Sequence, residues 1–198
     1  MTDVSSAKST SNAQKRNRLI EIISNRSLQT GEEITLASGR KSNFYFNMKP
    51  TMMNAEGAHL IAALVLDNIA DLEADLIGGL EMGAVPLAAS VAAVSHAQDR
   101  ALNSFFVRKA AKDHGTQSLI EGLAKGETMA GKRVIIIEDV TTTGGSSIKA
   151  AATLRAAGAE ILRVVTIVDR EEGAFDAFAK EGLELSPILS VSDFSNDT

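Results

Sequence analysis

Cysteine is absent from the 198 residues, which excludes disulfides and thiolate metal sites. Long apolar runs are missing as well. No stretch of about twenty apolar residues exists to span a bilayer, and the opening MTDVSSAKSTSNAQ lacks the apolar core of an export signal. The expectation is therefore a cytoplasmic protein with no membrane partner, in which the sequons at Asn25 and Asn196 are chance matches. Positive charge is in deficit: Lys and Arg total 20 against 25 Asp and Glu, a net charge of −5. A general electrostatic grip on nucleic acid is excluded, and any anion site must be local.

What is present is an ordinary globular composition. Hydrophobic residues make up 44% and charged residues 23%, enough for one domain with a sizeable core. Residues 1–12, rich in Ser and Thr, are expected to be a disordered tail, and 13–198 a single domain. Leu19, Ile22 and Ile23, spaced among charges, predict an amphipathic helix over 13–26. Residues 33–49 predict two short strands, around Ile34 and Leu36 and at Phe44-Tyr45-Phe46, joined by a Ser38-Gly39 turn. The plain reading of these aromatics is that they cover one edge of the core. The functional reading is a hood over a planar ligand, built mainly by residues 13–50 with the C-terminal segment. Met48, Met52 and Met53 are expected to pack beneath it.

Further along, helices are expected over 56–70, 84–97, 146–157 and near 174–180. Strands are expected over 75–79, 103–107, 118–123, the run from Val134, 160–168 and near 185–191. Strands alternating with helices at this spacing imply an α/β fold, a mostly parallel twisted sheet flanked by helices on both faces. Ligands then sit beyond the carboxyl ends of the strands. Loops 80–83, 139–146 and 169–173 fall there, and the polar run from Arg108 to Gln117 follows another strand. His59 and His96 lie in expected helices and are assigned no chemistry.

The rest is organised around Arg133 to Ser147, RVIIIEDVTTTGGSS. An apolar β-branched run ends in two adjacent acids, Glu138 and Asp139, which repel each other and lose solvation unless something compensates. Vicinal sugar hydroxyls or a Mg²⁺ ion would do so. Val140 leads into three hydroxyl donors, Thr141, Thr142 and Thr143. Gly144 and Gly145 allow close backbone approach to an anion, and the helix from Ser146 presents unpaired N–H groups to it. A phosphate-and-sugar site is the reading. Gly126 to Lys132 imitates a P-loop, but Arg133 stands where Ser or Thr is required and a strand follows rather than precedes, so it is a turn.

The IIIEDVTTTGGS pattern resembles the signature of type I phosphoribosyltransferases, which bind phosphoribosyl diphosphate (PRPP). The resemblance implies that Glu138 and Asp139 meet the ribose hydroxyls, that Thr141 to Ser146 hold the 5′-phosphate, and that Val140 between them also borders PRPP. Three further stretches are similar to the orotate phosphoribosyltransferases of that family. FVRKAAKDHG looks like their catalytic loop, which implies that Arg108, Lys109 and Lys112 neutralise the departing diphosphate, with His114 nearby. In that family the loop reaches the neighbouring subunit's site, which implies a homodimer. ASGRKSNFYFN is similar to their hood, which puts Tyr45 and Phe46 at the base, and VDREEG supplies Arg170 for the orotate carboxylate. Thr142 is placed against both substrates. The plain reading of Arg170 is an ion pair with Glu171 or Glu172.

The implied reaction is Mg²⁺-dependent transfer of ribose 5-phosphate from PRPP to N1 of orotate in pyrimidine nucleotide synthesis, with C1 gaining oxocarbenium character. Three departures stand out: Ala37 and Gly83 occupy positions where well-known members carry lysine, and Glu138 replaces a frequent Asp. The alternatives are a phosphoribosyltransferase for a purine or uracil, against which the hood and Arg170 speak, and a PRPP-sensing regulator without catalysis. The second usually adds a nucleic-acid-binding element, and no basic face accompanies it here.

Overall fold

The computed structural model describes residues 11–35, 41–110 and 118–194. Helix α1 (Asn12–Arg26) opens on a capping box: Ser11 Oγ accepts from Gln14 N–H, and the Gln14 side chain accepts from Ser11 N–H. That box brings Asn12, expected in the tail, into the helix; residues 1–10 lie outside the described residues. Leu19, Ile22 and Ile23 form the buried face of α1.

Strands β1 (Leu28–Thr35) and β2 (Lys41–Phe46) pair antiparallel, with Gln29 opposite Tyr45 and Leu28 opposite Phe46. The Ser38-Gly39 turn and Ala37 lie outside the described residues. Because neighbours on a strand point to opposite faces, the tandem aromatics divide. Phe46 is buried and meets Phe194 edge-on with centroids 5.1 Å apart, whereas Tyr45 is 38% exposed. A short helix not anticipated from the sequence, α2 (Lys49–Met52), follows, with Pro50 in its first turn where no N–H is needed. Met48 and Met52 are buried as expected. Met53 is 78% exposed, contrary to expectation, because it forms the C-cap of α2 and turns outward ahead of α3 (Ala55–Asn68).

The main sheet runs β5-β4-β3-β6-β7-β8. Strands β3 (Leu76–Leu80), β4 (Asn103–Val107), β6 (Arg133–Thr141), β7 (Glu160–Asp169) and β8 (Leu185–Ser190) are parallel. The two-residue β5 (Ile120–Glu121) lies antiparallel on the edge. The apolar run of β6 is buried on both sides, as a central parallel strand requires. Ile135 and Ile137 join Leu19, Ile61 and Leu87 beneath α1, α3 and α4 (Ala84–Ala97). Val134 and Ile136 join Leu154 and Phe178 beneath α5 (Gly145–Ala156) and α6 (Ala174–Lys180). The chain leaves β3 towards one edge and returns to β6 on its other side, which creates a switch point with a crevice at the strands' carboxyl ends.

Several boundaries move from their expected places, among them the start of β1, which lies at Leu28 rather than near residue 33. Strand β6 continues past the acids to Thr141, because Val140 and Thr141 pair with Val168 and Asp169; the loop shrinks to 142–144 and α5 begins at Gly145. The strand expected over 118–123 reduces to Ile120–Glu121, since Ser118 Oγ bonds both the N–H and the C=O of Ile120 and Gly122 turns away at φ 101°. Strand β8 stops at Ser190, whose N–H donates to Asp193 Oδ2 at the start of a 3₁₀ turn, Val191–Phe194. Residues 126–132 are turns, as expected of the rejected P-loop. Among the described residues no helix is long and apolar enough to cross a membrane.

Candidate active site

The crevice between the ends of β3 and β6 is a cavity of about 330 Å³ lined by Glu138, Asp139, Lys49, Lys109, Ser146 and the β3–α4 loop. Glu138 stays in the sheet ladder opposite Thr166, so its carboxylate is aimed by a strand rather than by a loop. Burial pushes its pKa up to about 7; the Ser147 and Ser146 hydroxyls oppose that rise and the Asp139 charge adds to it. Ser147 Oγ donates to Glu138 Oε2. The Thr141 hydroxyl also bears on Glu138, yet Thr141 Oγ1 is buried without a partner in hydrogen-bond geometry among the described residues.

Asp139 is likewise raised by burial, against the Val140 N–H, which donates to its Oδ1 at 3.0 Å, and against the charges of Lys49 and Lys109. The β3–α4 loop closes directly over this carboxylate. A Cβ on Gly83 would stand 2.7 Å from Asp139 Oδ1, so only glycine lets the loop lie this close. The Glu81–Met82 peptide in the loop is cis.

On the other side, Gly144 adopts the left-handed conformation at φ 82°, and a Cβ there would lie 2.8 Å from the Phe178 ring. This turn ends the loop in so little space that α5 starts at once. No side chain caps α5, so its first N–H groups are open to an anion. Ser146 lines both this cavity and a second of about 740 Å³ towards Arg108, Lys109, Lys149 and Thr153. Thr142 is half-buried and Thr143 exposed.

Among the predicted cations, Lys109 is placed at the cavity, its N–H donating to Glu81 Oε1 at 2.9 Å. Arg108 lines the second cavity and lies 4.0 Å from Glu121, away from the acid pair. Lys112 and His114 lie outside the described residues. Arg170 is 8% exposed and pairs with Glu172 at 3.0 Å, the plain alternative considered for it, while its N–H donates to the Thr141 carbonyl at 2.9 Å. This second bond seats Arg170 beside the end of β6. The Phe46 ring is core rather than ligand surface, leaving the exposed Tyr45 and the β2 backbone for any base. Lys49, not singled out from the sequence, joins the site because α2 carries it there.

An acid pair above an uncapped, glycine-led helix start, at the switch point of a mostly parallel sheet, is a layout suited to an anion beside a polyol. The sequence profile of the phosphoribosyl transferase domain family matches residues 51–195. An orotate phosphoribosyltransferase from Rhodopseudomonas palustris is 56% identical over 94% of this chain and 99% of its own length. One from Corynebacterium glutamicum is 42% identical over 92% and 95% respectively. The orotate phosphoribosyltransferase of Mycobacterium tuberculosis, solved in complex with PRPP, superposes with a TM-score of 0.75 at 32% identity, over 91% of this chain and 98% of that one. The chain belongs to the phosphoribosyltransferase family, on its orotate phosphoribosyltransferase branch.

Proposed function

We propose that this protein transfers ribose 5-phosphate from PRPP to N1 of orotate, in the cytoplasm and with Mg²⁺, giving orotidine 5′-phosphate and diphosphate. The observation that carries this reading is the cavity in which Glu138 and Asp139 face the open start of α5 on one side and the glycine-spaced β3–α4 loop on the other. The full-length likeness to orotate phosphoribosyltransferases supplies the base.

In this reading Glu138 and Asp139 accept hydrogen bonds from the ribose hydroxyls. The backbone of 142–146 and the positive end of α5 hold the 5′-phosphate. The C1–oxygen bond to diphosphate breaks as the N1–C1 bond forms, and the N1 proton is lost. Lys109, with Arg108 and Lys112, neutralises the leaving diphosphate. Arg170 releases Glu172 and grips the orotate carboxylate with two parallel hydrogen bonds, a planar match that a guanidinium provides. The β2 backbone at Tyr45-Phe46 flanks the base.

Among the described residues no three acids or histidines cluster as a metal cage. Two adjacent carboxylates suit Mg²⁺, which keeps waters and binds one or two protein acids together with substrate oxygens. Glu138 and Asp139 would hold it, and its charge would offset that of the diphosphate. A homodimer sharing its sites is part of the proposal; the exposed Met53 and Met82, 78% and 65% accessible, are apolar surface of the kind a second subunit covers.

The test is orotate-dependent release of diphosphate from PRPP, with and without Mg²⁺, beside a panel of uracil and purine bases. Release that requires orotate and Mg²⁺ supports the proposal. Release with another base but not orotate overturns the substrate, and equal rates in a chelator overturn the metal requirement.

A further inference from the structure

The wall of the cavity beneath the β3–α4 loop has no cation of its own. The side chains available there are Glu81, Met82 and Ala84 beside Gly83, and Glu81 is committed to the Lys109 N–H. A lysine in place of Gly83 cannot enter without moving either the loop or the Asp139 carboxylate, since its Cβ alone would press on that carboxylate. Positive charge for an anion under this loop must therefore come from elsewhere in the fold.

Lys49 provides it. It lines the same cavity as Glu138, Asp139 and Gly83, and its charge is felt at the Asp139 carboxylate. Among the described residues it forms no ion pair, so its three donors are available. Its backbone, in contrast, is firmly held. Met48, Thr51 and Met52 around it are buried, Ser27 and Thr51 share a buried hydroxyl hydrogen bond of 2.7 Å, and Asn47 N–H donates to the Ser27 carbonyl at 2.8 Å. Thr51 is in turn pressed against Gly57 of α3, where a Cβ would stand 2.4 Å from its carbonyl oxygen. A solvated surface lysine needs none of this anchoring. A lysine that must present its ammonium at a fixed place does.

We propose that Lys49 is a diphosphate-binding residue, supplying from the N-terminal unit the positive charge that the β3–α4 loop lacks. The assignment rests on the phosphoribosyl-transfer reading of the site. The diphosphate, rather than the 5′-phosphate, is its ligand because Lys49 shares a wall with Glu81 to Ala84, whereas the 5′-phosphate cradle is the start of α5. With Lys109 on β4's extension and Lys49 on α2, two cations from separate elements meet the leaving group.

The experiment is calorimetric titration of the full-length protein with inorganic diphosphate in Mg²⁺, alongside product inhibition by diphosphate against PRPP. Lys49→Ala is expected to weaken diphosphate binding by about tenfold or more, the range of a lost charge-assisted hydrogen bond. Lys49→Arg should recover most of that loss, and Lys180→Ala, at the exposed end of α6, should match wild type. Lys49 is exposed, so thermal melts of the variants should coincide; Lys49→Gln serves if the alanine variant does not fold. Diphosphate binding by Lys49→Ala equal to wild type overturns the assignment while leaving the reaction standing. A wild type that neither binds diphosphate nor consumes PRPP overturns the reaction and the assignment together.

Discussion

Ser147 Oγ, on the first turn of α5, donates a hydrogen bond to Glu138 Oε2 at the end of β6. That bond ties the acid proposed to face the sugar to the helix whose start is proposed to receive the phosphate. Glutamate has one more methylene than aspartate and one more torsion to restrain, and the buried Ser147 supplies the restraint. Removing such a hydrogen bond costs about 1 kcal/mol. Ser147→Ala should therefore raise the KM for PRPP by roughly fivefold with a smaller change in kcat, and steady-state kinetics with varied PRPP would detect it. An unchanged KM would show that Glu138 is held by its strand alone.

The same glutamate makes the free protein's stability depend on pH. Its ordinary value of 4.5 rises to about 7 on folding, because burial disfavours the charged form. Below pH 4.5 the carboxyl is protonated in both states and costs nothing. Between 4.5 and 7 the unfolded chain ionises first, so stability falls as pH rises, and above 7 the cost is complete. At about 1.4 kcal/mol per pKa unit the upper bound is on the order of 3 kcal/mol. Glu138→Gln should consequently melt higher than wild type at pH 8 without ligands, with the difference vanishing near pH 4, while losing PRPP turnover. Parallel melting curves at both pH values would contradict the raised pKa.

Much of this layout was legible in the sequence. Helices α4 and α6 and strand β4 coincide with their expected spans, since Gly83, Gly173 and polar turns bound apolar segments of clear period. The acid pair and the glycine-led helix start were legible because charge beside an apolar run is costly and therefore conspicuous. The end of β6 was misplaced for the same reason: acids look like loop, but here they remain in the ladder because Val140 and Thr141 continue pairing with β7. Tyr45 and Phe46 were read as one unit, although strand pleating must send one of them into the core. Lys49 carried no local signal at all. A single lysine before a proline reaches the cavity only when Ser27, Thr51 and Gly57 lock α2 against the end of α1 and the start of α3.

Gly83 has ordinary helical angles, φ −59° and ψ −42°, so alanine there suffers no backbone strain. It suffers from lack of space, with Asp139 Oδ1 at 2.7 Å from the added carbon. Overpacking of this kind costs about 1–3 kcal/mol, and here the yielding partner is the Asp139 carboxylate, proposed to hold the ribose. Gly83→Ala is expected to reduce kcat/KM for PRPP by at least about tenfold and to lower the melting temperature by a few degrees, at about 2–4 °C per kcal/mol.

Substitution of Arg170 by lysine tests whether the proposed orotate contact needs a guanidinium fork or only a positive charge. The Arg170 head group is buried and held by Glu172, and gripping a flat carboxylate uses two parallel donors that lysine cannot place. Arg170→Lys should raise the KM for orotate by about tenfold or more and leave the KM for PRPP near wild type. A loss shared equally between the two substrates would instead mark Arg170 as a structural partner of Glu172.

The resemblance of residues 106–115 to a loop that serves the neighbouring subunit leads to a complementation test. Lys112→Ala should lower kcat sharply with the fold intact, and Asp139→Asn should disable the ribose end of the site. If each site takes Asp139 from one subunit and Lys112 from its partner, a heterodimer of the two variants contains one doubly defective site and one intact site. Half of the wild-type activity per heterodimer is then expected. If both residues serve their own subunit, each site carries one defect and the mixture stays inactive. Turnover by purified, differently tagged heterodimers separates the two arrangements, because only sharing across the interface can rebuild a complete site from two broken chains.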